Sequence, residues 1–343
     1  MNRYDERYDF RFATVEDIPD IMEYIDKVWK KGHILAKSRQ FFENEFCSEE
    51  KVNVYLVLDR STEKIAGITG FYEASKDPEH YDVWGSVWSV RNNADDIPML
   101  GIELGKRMRK AIGMRCEIGV GVNKRTAIPI LTRIFKDTVG RLDHYYMLND
   151  RENYQIAEIN DRHPVTKEMF SESNYRLKRI TDISQLETSF DFSRFTECIP
   201  YKDAWYINKR FLNHPIYQYE VYAAQKNGKT DAILVMRKVY AQGEMAIRMV
   251  DYIGDKTVVA HLGRELCELL GDHAEYLDFY CYGFEQEKLE QAGFTKKTED
   301  DPNVIPNYFE PFERSNVEIW FNSTSPDITI CKADADQDRP NIL

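Results

Sequence analysis

The sequence predicts a mixed α/β fold in which one module occurs twice in tandem. Its 343 residues are long enough for two domains of about 150 residues each. The hydrophobic pattern switches repeatedly between a period of two and a period of 3.6, which predicts alternating strands and helices. Segments of the first half also recur in the same order in the second half. We therefore expect one module in residues 1–150 and another in residues 151–343.

The internal repeat rests on three pairs of matching segments. "FRFATVEDIPDI" from Phe10 matches "YRLKRITDISQL" from Tyr175, and each predicts a short strand that leads into a helix. "VYLVLDRSTEKIAGITGF" from Val54 matches "VYAAQKNGKTDAILVMRKV" from Val221, and each predicts a hairpin. The helical "LGKRMRKAIG" of the first half matches "LGRELCELLG" of the second half. Three matches in the same order indicate a duplication.

The other elements follow from the same patterns. In the first half we predict a wide strand "YDVWGSVWSVRN", the helix "MLGIELGKRMRKAIG", the strand "CEIGVGV" and the helix "KRTAIPILTRIF". The strand "HYYMLN" is expected to close the first module. In the second half "EYLDFYCYGF" predicts a buried strand, "EQEKLEQAGF" a helix, and the proline-containing "IPNYFEPF" a rigid turn.

Composition excludes several classes of protein. No run of about 18 apolar residues occurs, so no membrane span is predicted. The charged N-terminus lacks the apolar core of a signal peptide, and the six cysteines are scattered without a C-x-x-C pair. We therefore expect a cytoplasmic protein with reduced thiols and without a zinc site.

The net charge of −12 is distributed unevenly. Residues 1–150 carry −2 and the rest −10, but residues 91–150 contain 11 basic and 7 acidic side chains. This local basic excess suits a compact phosphate-bearing ligand better than nucleic acid, which needs a broad basic face. A solvated helix face explains it equally well.

The wide strand, the loop "DIPMLG" and the following helix together resemble the GNAT acyltransferase family. The resemblance implies that the strand splays from its neighbour to pair with the pantetheine of an acyl-CoA, acetyl-CoA or another. It also implies that the pyrophosphate rests on the next helix N-terminus, whose free N–H groups and dipole favour anions. Of the family's loop glycines only Gly101 is present. The implied cofactor-binding residues are Trp88, Val90, Leu100, Gly101, Ile102 and Asn123.

The resemblance also bears on catalysis and on the second module. Asn123 stands where family members often place an asparagine, and it is a candidate catalytic residue. Leu131 occupies the position of a tyrosine that often protonates the departing thiolate, and Leu289 occupies that position in the second module. In the second phosphate loop, Gly254 is followed directly by an acid. We expect the second module to be GNAT-like but without an acyl-CoA site.

Two polar segments point to the acceptor. The strings "IPNYFEPF" and "DADQDRPN" resemble tandem GNAT-like proteins of bacterial surface-polysaccharide loci. Because sugar hydroxyls need partners that both donate and accept, these segments predict a sugar or nucleotide-sugar acceptor. The candidate substrate-binding residues are Asn307, Tyr308, Asp336, Asp338 and Arg339. An amine also needs a carboxylate that accepts its proton, and Asp251, Asp336 and Asp338 are candidates, with Asp251 as the catalytic choice.

The C-terminal acids could instead suggest calcium. Asp334, Asp336 and Asp338 alternate as at the start of a calcium loop, but such a loop needs Gly at its sixth position and Glu at its twelfth. Arg339 holds the sixth position and the chain ends before the twelfth. No metal site is predicted. As a chain terminus, the segment from Asp334 is expected to be removable without loss of the fold.

Three functions remain open from the sequence. The first is an N-acetyltransferase acting on an amino sugar, with its acceptor site between the modules; the acidic second half would suit an amine. The second is a transferase that uses aminoacyl-tRNA, against which the charge of −12 counts. The third is a non-catalytic GNAT-derived scaffold protein of a glycan pathway, favoured by the missing tyrosines and the incomplete loops.

Overall fold

The computed structural model describes residues 2–49 and 51–341 and confirms the mixed α/β fold, which is built on two mixed sheets. The first sheet contains, in spatial order, β1 (Tyr8–Ala13), β3 (Lys51–Asp59), β4 (Ile65–Glu73), β5 (Asp82–Val90), β6 (Cys116–Val120), β18 (Trp320–Ser323) and β7 (Thr138–Arg141), with β2 (Cys47–Ser48) paired to β3. The second sheet contains β10 (Arg176–Ile180), β11 (Tyr219–Lys226), β12 (Lys229–Ala241), β13 (Glu244–Gly254), β14 (Ala274–Tyr282), β8 (Asp143–Asn149) and β15 (Thr295–Lys296), with β9 (Pro164–Val165) paired to β8 and β19 (Ile330–Cys331) paired to β14. A separate hairpin joins β16 (Tyr308–Phe309) to β17 (Phe312–Glu313).

The helices cover the sheets and connect their strands. They are α1 (Arg3–Arg7), α2 (Ile18–Tyr24), α3 (Ile34–Lys37), α4 (Arg39–Phe46), α5 (Leu100–Ile112), α6 (Ala127–Ile130), α7 (Ser184–Glu187), α8 (Ala204–Ile207), α9 (Gly263–Leu270) and α10 (Gln286–Gln291). Wider π turns extend α2, α6 and α8 through Ile25–Trp29, Leu131–Phe135 and Asn208–Leu212. None of the helices in the described part of the chain is long and apolar enough to cross a membrane.

The two sheets follow one topology and exchange a strand at the same position. In each sheet three antiparallel pairings lead to a parallel pair, β5 with β6 and β13 with β14. The next place in the first sheet belongs to β18 from the far end of the chain, whereas the same place in the second sheet belongs to β8. The expectation that "HYYMLN" closes the first module is therefore wrong. Tyr145 and Met147 of β8 are buried in the core of the second sheet instead.

The hydrophobic core is continuous across the two halves. One buried cluster combines Trp84 and Ile118 of the first sheet with Val221 and Tyr280 of the second sheet. Phe321 of the exchanged strand β18 belongs to the same cluster and is fully buried. Because this apolar surface is shared, each half depends on the other for its stability.

The parallel strands separate differently in the two sheets. Strands β5 and β6 pair only from Asp82 with Cys116 to Trp84 with Ile118, after which β5 continues to Val90 and a gap opens between them. In the second sheet the corresponding gap is filled by the chain itself. There β19 pairs with β14, and the N–H of Ala333 donates to the carbonyl of β13 Val250 at 2.8 Å.

The segment that follows β19 is tightly bound rather than removable. Asp334 and Asp338 are fully buried, and they pair with Lys202 at 2.6 Å and with Arg237 at 2.7 Å. The buried guanidinium of Arg210 donates to three carbonyls of this segment. The sequence analysis predicted that this segment could be removed, because terminal residues are often poorly ordered. Here its acids are instead the counter-ions of buried cations.

We expect truncation before Asp334 to abolish stable folding. It would leave Arg237 without its carboxylate, while Lys202 and Arg210 would lose some of their partners and keep Asp251 and Glu45. Breaking one buried pair typically costs about 3–5 kcal/mol. Since a domain is stable by only about 5–15 kcal/mol, the truncated chain should lack a cooperative unfolding transition in near-UV circular dichroism. A truncated protein that melts at the temperature of the full-length chain would contradict this prediction.

Candidate functional site

A cavity of about 730 Å³ occupies the gap between β5 and β6. We call it the first cavity. It extends from Gly85 and Ser86, at the point where the strands separate, to the N-terminal turns of α5. All six residues predicted to bind acyl-CoA line it: Trp88, Val90, Leu100, Gly101, Ile102 and Asn123. The structure thus brings the predicted set together around one space, although their role stays a prediction.

The N-terminal turn of α5 contacts the splayed strand β5, and no side chain among the described residues caps its backbone N–H groups. The indole Nε1 of Trp88 donates to the carbonyl of Gly101 at 3.0 Å, and Leu100 is buried beneath the helix. Met99 enters this helix start in the left-handed conformation with φ 67°. The N–H of Ile102 donates to the carbonyl of Met99 at 3.0 Å, whereas the N–H groups of Leu100 and Gly101 remain available for an anion.

The charged residues around this helix are largely paired. Asp96, which precedes the loop, binds Arg91 at 2.8 and 2.9 Å, and this contact holds the pKa of Asp96 below its usual value. Arg109 forms two bonds with Asp137, at 2.7 and 2.8 Å. Among the basic residues of α5, Lys106 and Lys110 are exposed. Arg91 and Arg109, which contribute to the local basic excess, therefore form ion pairs, and Arg91 neutralises the acid near the loop, Asp96.

A carboxylate that the sequence analysis missed lies on the wall of the first cavity. Glu117 of β6 is 8% exposed, pairs with Arg109, and faces Gly85 at the point where the strands separate. Burial raises the pKa of Glu117, and the nearby Arg109 guanidinium opposes this increase. In "CEIGVGV" Glu117 lies between the apolar positions Cys116 and Ile118, so the alternation alone predicts an exposed acid and gives no clue to its burial.

Asn123 and Leu131 also line the first cavity. The side-chain oxygen of Asn123 accepts the N–H groups of Arg125 at 2.9 Å and Thr126 at 3.0 Å. It therefore shapes the turn that leads into α6. With this oxygen engaged, the geometry favours a positioning role for Asn123 over the predicted catalytic role.

A second cavity of about 300 Å³ adjoins the first. Four of the five predicted substrate-binding residues line it: Asn307, Tyr308, Asp336 and Arg339. The fifth, Asp338, is buried behind this surface in its pair with Arg237, so the prediction of substrate contact is not matched for that residue. The two cavities share three lining residues, namely Trp29, Gly121 and Asp336.

Asp336 is the carboxylate common to both cavities. Its side chain is 23% exposed and binds Arg339 at 3.1 Å, while Arg339 donates to Ser86 of β5 at 2.9 Å. Burial raises the pKa of Asp336, and Arg339 opposes the shift. Gly121 has φ +86° and a side chain there would overlap Gln337, so a glycine is needed for the tail to approach β6.

Asp251, the predicted catalytic base, contributes to the wall of neither cavity. It is fully buried, and the ammonium of Lys202 lies 2.5 Å from Asp251 and 2.6 Å from Asp334. The prediction is therefore corrected: Asp251 binds the ammonium that also holds the C-terminal segment. A buried aspartate that anchors a segment and one that accepts a proton have the same appearance in a sequence.

The same cluster bears on the question of metal. Ligand atoms of Asp251, Cys331 and Asp334 all lie within 4.8 Å of one another. However, the ammonium of Lys202 already occupies the position between the two carboxylates that a cation would take. Burial raises the pKa of Asp334 to about 7, against the opposing effect of Lys202.

We predict that Lys202→Met destabilises the fold by about 3–5 kcal/mol, because two buried carboxylates would lose their shared cation. The loss should be larger at pH 8 than at pH 5. The pKa of Asp334 is raised in the folded state, so the folded chain binds this proton more tightly than the unfolded chain, and stability falls as pH rises toward 7. Without Lys202 that fall should be steeper. Urea unfolding at both pH values measures it, and equal losses would contradict the argument.

Comparison with known proteins supports the fold alone. No protein-family model matches the chain, and no curated protein matches it in sequence. A protein of Enterococcus faecalis V583, described as a probable N-acyltransferase of unknown function, has a TM-score of 0.56 at 9% identity, over 92% of this chain and 71% of that one. A GCN5-related N-acetyltransferase from Anabaena variabilis has a TM-score of 0.54 at 8% identity, over 92% and 72%.

These solved structures define the class of fold. Both are described as N-acyl- or N-acetyltransferases of the type that the wide strand, loop and helix resemble. The chain therefore has a GNAT-like fold. At this level of identity, substrate and activity do not transfer with the fold.

Proposed function

We propose that the protein is an acyl-CoA-dependent acyltransferase that acylates the amino group of a small polar acceptor. The observation that carries this proposal is the meeting of two cavities at one carboxylate, Asp336. The first cavity lies along a splayed strand and a helix N-terminus, and the second is lined mainly by polar side chains. Such an arrangement suits a reaction between two bound substrates.

The first cavity would hold acetyl-CoA or another acyl-CoA as co-substrate. The pantetheine would lie along β5, whose residues beyond Trp84 have no strand partner on the side of β6 within the described chain. The pyrophosphate would lie against the open N–H groups at the start of α5, near Gly101. The corresponding gap of the second sheet is filled by β19, which supports one acyl-CoA per chain.

The proposed chemistry is direct transfer. The acceptor amine enters from the second cavity and attacks the thioester carbonyl while Asp336 accepts its proton. The new C–N bond replaces the C–S bond, and CoA leaves as a thiolate. Backbone N–H groups of the splayed strand stabilise the oxyanion. Since Leu131 replaces the usual tyrosine, the thiolate takes its proton from water or leaves unprotonated.

An amino sugar or nucleotide sugar is the acceptor that the polar walls of the second cavity first suggest. The alternative is a non-catalytic binding protein, which the incomplete loop "DIPMLG" and the absence of a tyrosine from the described lining of the first cavity favour. Release of CoA from acetyl-CoA, measured with a panel of polar amines, distinguishes these two functions. A transferase that uses aminoacyl-tRNA is disfavoured by the net charge of −12.

We predict that Gly101→Asp abolishes CoA binding whereas Gly101→Ala retains it. A Cβ at Gly101 would meet the nearest atoms of Val90 at an ordinary 3.6 Å, so alanine fits the folded chain. Aspartate would add a negative charge where the pyrophosphate is proposed to bind. Isothermal titration with acetyl-CoA should give wild-type affinity for the alanine variant and none for the aspartate variant. Equal affinities would remove the site from the first cavity.

We predict that Asp336→Asn lowers kcat by about 10²–10⁴-fold, the usual contribution of a general base, while CoA affinity is unchanged. Because the pKa of Asp336 is raised, the acid limb of the wild-type pH–rate profile should lie above the ordinary range of an aspartate. Activity should fall as pH falls through that value. The matched control is Asp327→Asn, an exposed acid between β18 and β19. If Glu117→Gln loses activity and Asp336→Asn does not, Glu117 is the base.

A further inference from the structure

The second cavity is basic, although the half of the chain that supplies most of its wall is acidic. Its lining carries two acids, Glu310 and Asp336, and five basic side chains: Lys30, Arg237, Arg248, Lys332 and Arg339. His33 adds no charge, because burial lowers its pKa to about 3. The charge of −10 over residues 151–343 suggested a site for a simple amine. The local balance at the cavity has the opposite sign.

Three of these basic side chains already have carboxylate partners. Arg237 binds Asp338 at 2.7 Å, and Arg339 binds Asp336 at 3.1 Å. Arg248 forms two bonds with Asp278, at 2.9 and 3.0 Å, and donates to two carbonyls next to the hairpin. These guanidinium groups form part of the cavity wall, and carboxylates of the protein largely neutralise their charge.

Lys332 is different. It is 3% exposed, it follows β19 directly, and its ammonium donates to the side-chain oxygen of Asn307, which is uncharged. No carboxylate within the described residues forms an ion pair with it. Burial, together with the charge of Arg248, lowers its pKa well below the usual value. The charges of Asp338 and Asp278 oppose this shift only in part, so the ammonium form of Lys332 is unfavourable here unless an anion binds beside it.

We propose that the second cavity binds the carboxylate of the acceptor at Lys332, so that the acceptor is an amino acid or an amino sugar acid rather than a neutral amine. This inference rests on the proposed acyl transfer and specifies its substrate class. Lys332 lines the second cavity alone, whereas Asp336 lies on the wall shared with the first cavity. The two charged groups of the acceptor would thus be held separately, with the amine directed to the thioester.

The contrast between two buried lysines separates binding from folding. Lys202 has two carboxylate partners, whereas Lys332 has one amide oxygen. Replacing Lys332 by methionine removes a buried amine that has no ion-pair partner within the described residues and preserves most of the volume, so the melting temperature should stay the same or rise. A lysine needed only for the fold would give the opposite result. Lys332→Gln serves if the methionine variant does not fold.

The experiment uses amines that differ in one charge. The probes are L-amino acids with their carboxamides, and muramic acid with its carboxamide. Isothermal titration measures binding of each probe, and CoA release from acetyl-CoA measures transfer. We expect the best carboxylate probe to bind and react at least tenfold better than its neutral counterpart. In Lys332→Met the preference should fall below twofold with CoA affinity unchanged. Lys332→Arg should retain the preference, as should the control Lys64→Met at an exposed turn.

Each remaining outcome is decisive. Equal use of neutral and acidic amines, or an unchanged preference in Lys332→Met, would overturn the carboxylate site and leave acyl transfer intact. Binding of neither kind of probe would also overturn it. Carboxylate probes that bind through Lys332 in a protein without affinity for acetyl-CoA would contradict the proposed transferase and preserve this site.

Discussion

The exchange of one strand between the two sheets is the constraint on which the rest of the structure depends. Strand β8 leaves the first half to pair with β14, and β18 returns from the far end of the chain to fill the place between β6 and β7. After this return the chain must cross back to the second sheet, where β19 pairs with β14. The residues that follow are thereby drawn through the interface, and Asp336 reaches the wall between the cavities.

Local patterns in the sequence predicted the elements but could not predict this exchange. Periodicity marked the splayed strand and the following helix, and family resemblance selected six residues that line one cavity. "HYYMLN" has the alternation of a strand, but alternation does not identify the partner. Pairing between residues far apart in sequence depends on tertiary packing, which no local pattern records. The sequence analysis did not predict the buried ion pair of Asp251 for the same reason, because its partner Lys202 lies far from it along the chain.

Charge shows the same limit of sequence arguments. The second half is acidic overall, yet the walls of the second cavity are basic, because several of the acids are bound behind the cations that they neutralise. Asp278 and Asp338 illustrate this arrangement, and arginine guanidinium groups hold the pKa of each well below its usual value. Lys332, which has no such partner within the described chain, could not be distinguished in the sequence from the paired cations. Net charge describes the solvation of a protein, whereas the field in a pocket depends on a few oriented pairs.

The exchanged strand also affects how the chain is made. A ribosome releases the first half long before the residues of β18 exist, so the space between β6 and β7 stays open during most of synthesis. Strand β8 must likewise wait for β14. Such a chain gains little from folding its N-terminal half early, and its unpaired strand edges stay open to pairing with other chains until translation ends. Two successive sheets can usually fold in turn, but here the exchanged strands make the completion of each sheet depend on the other half of the chain.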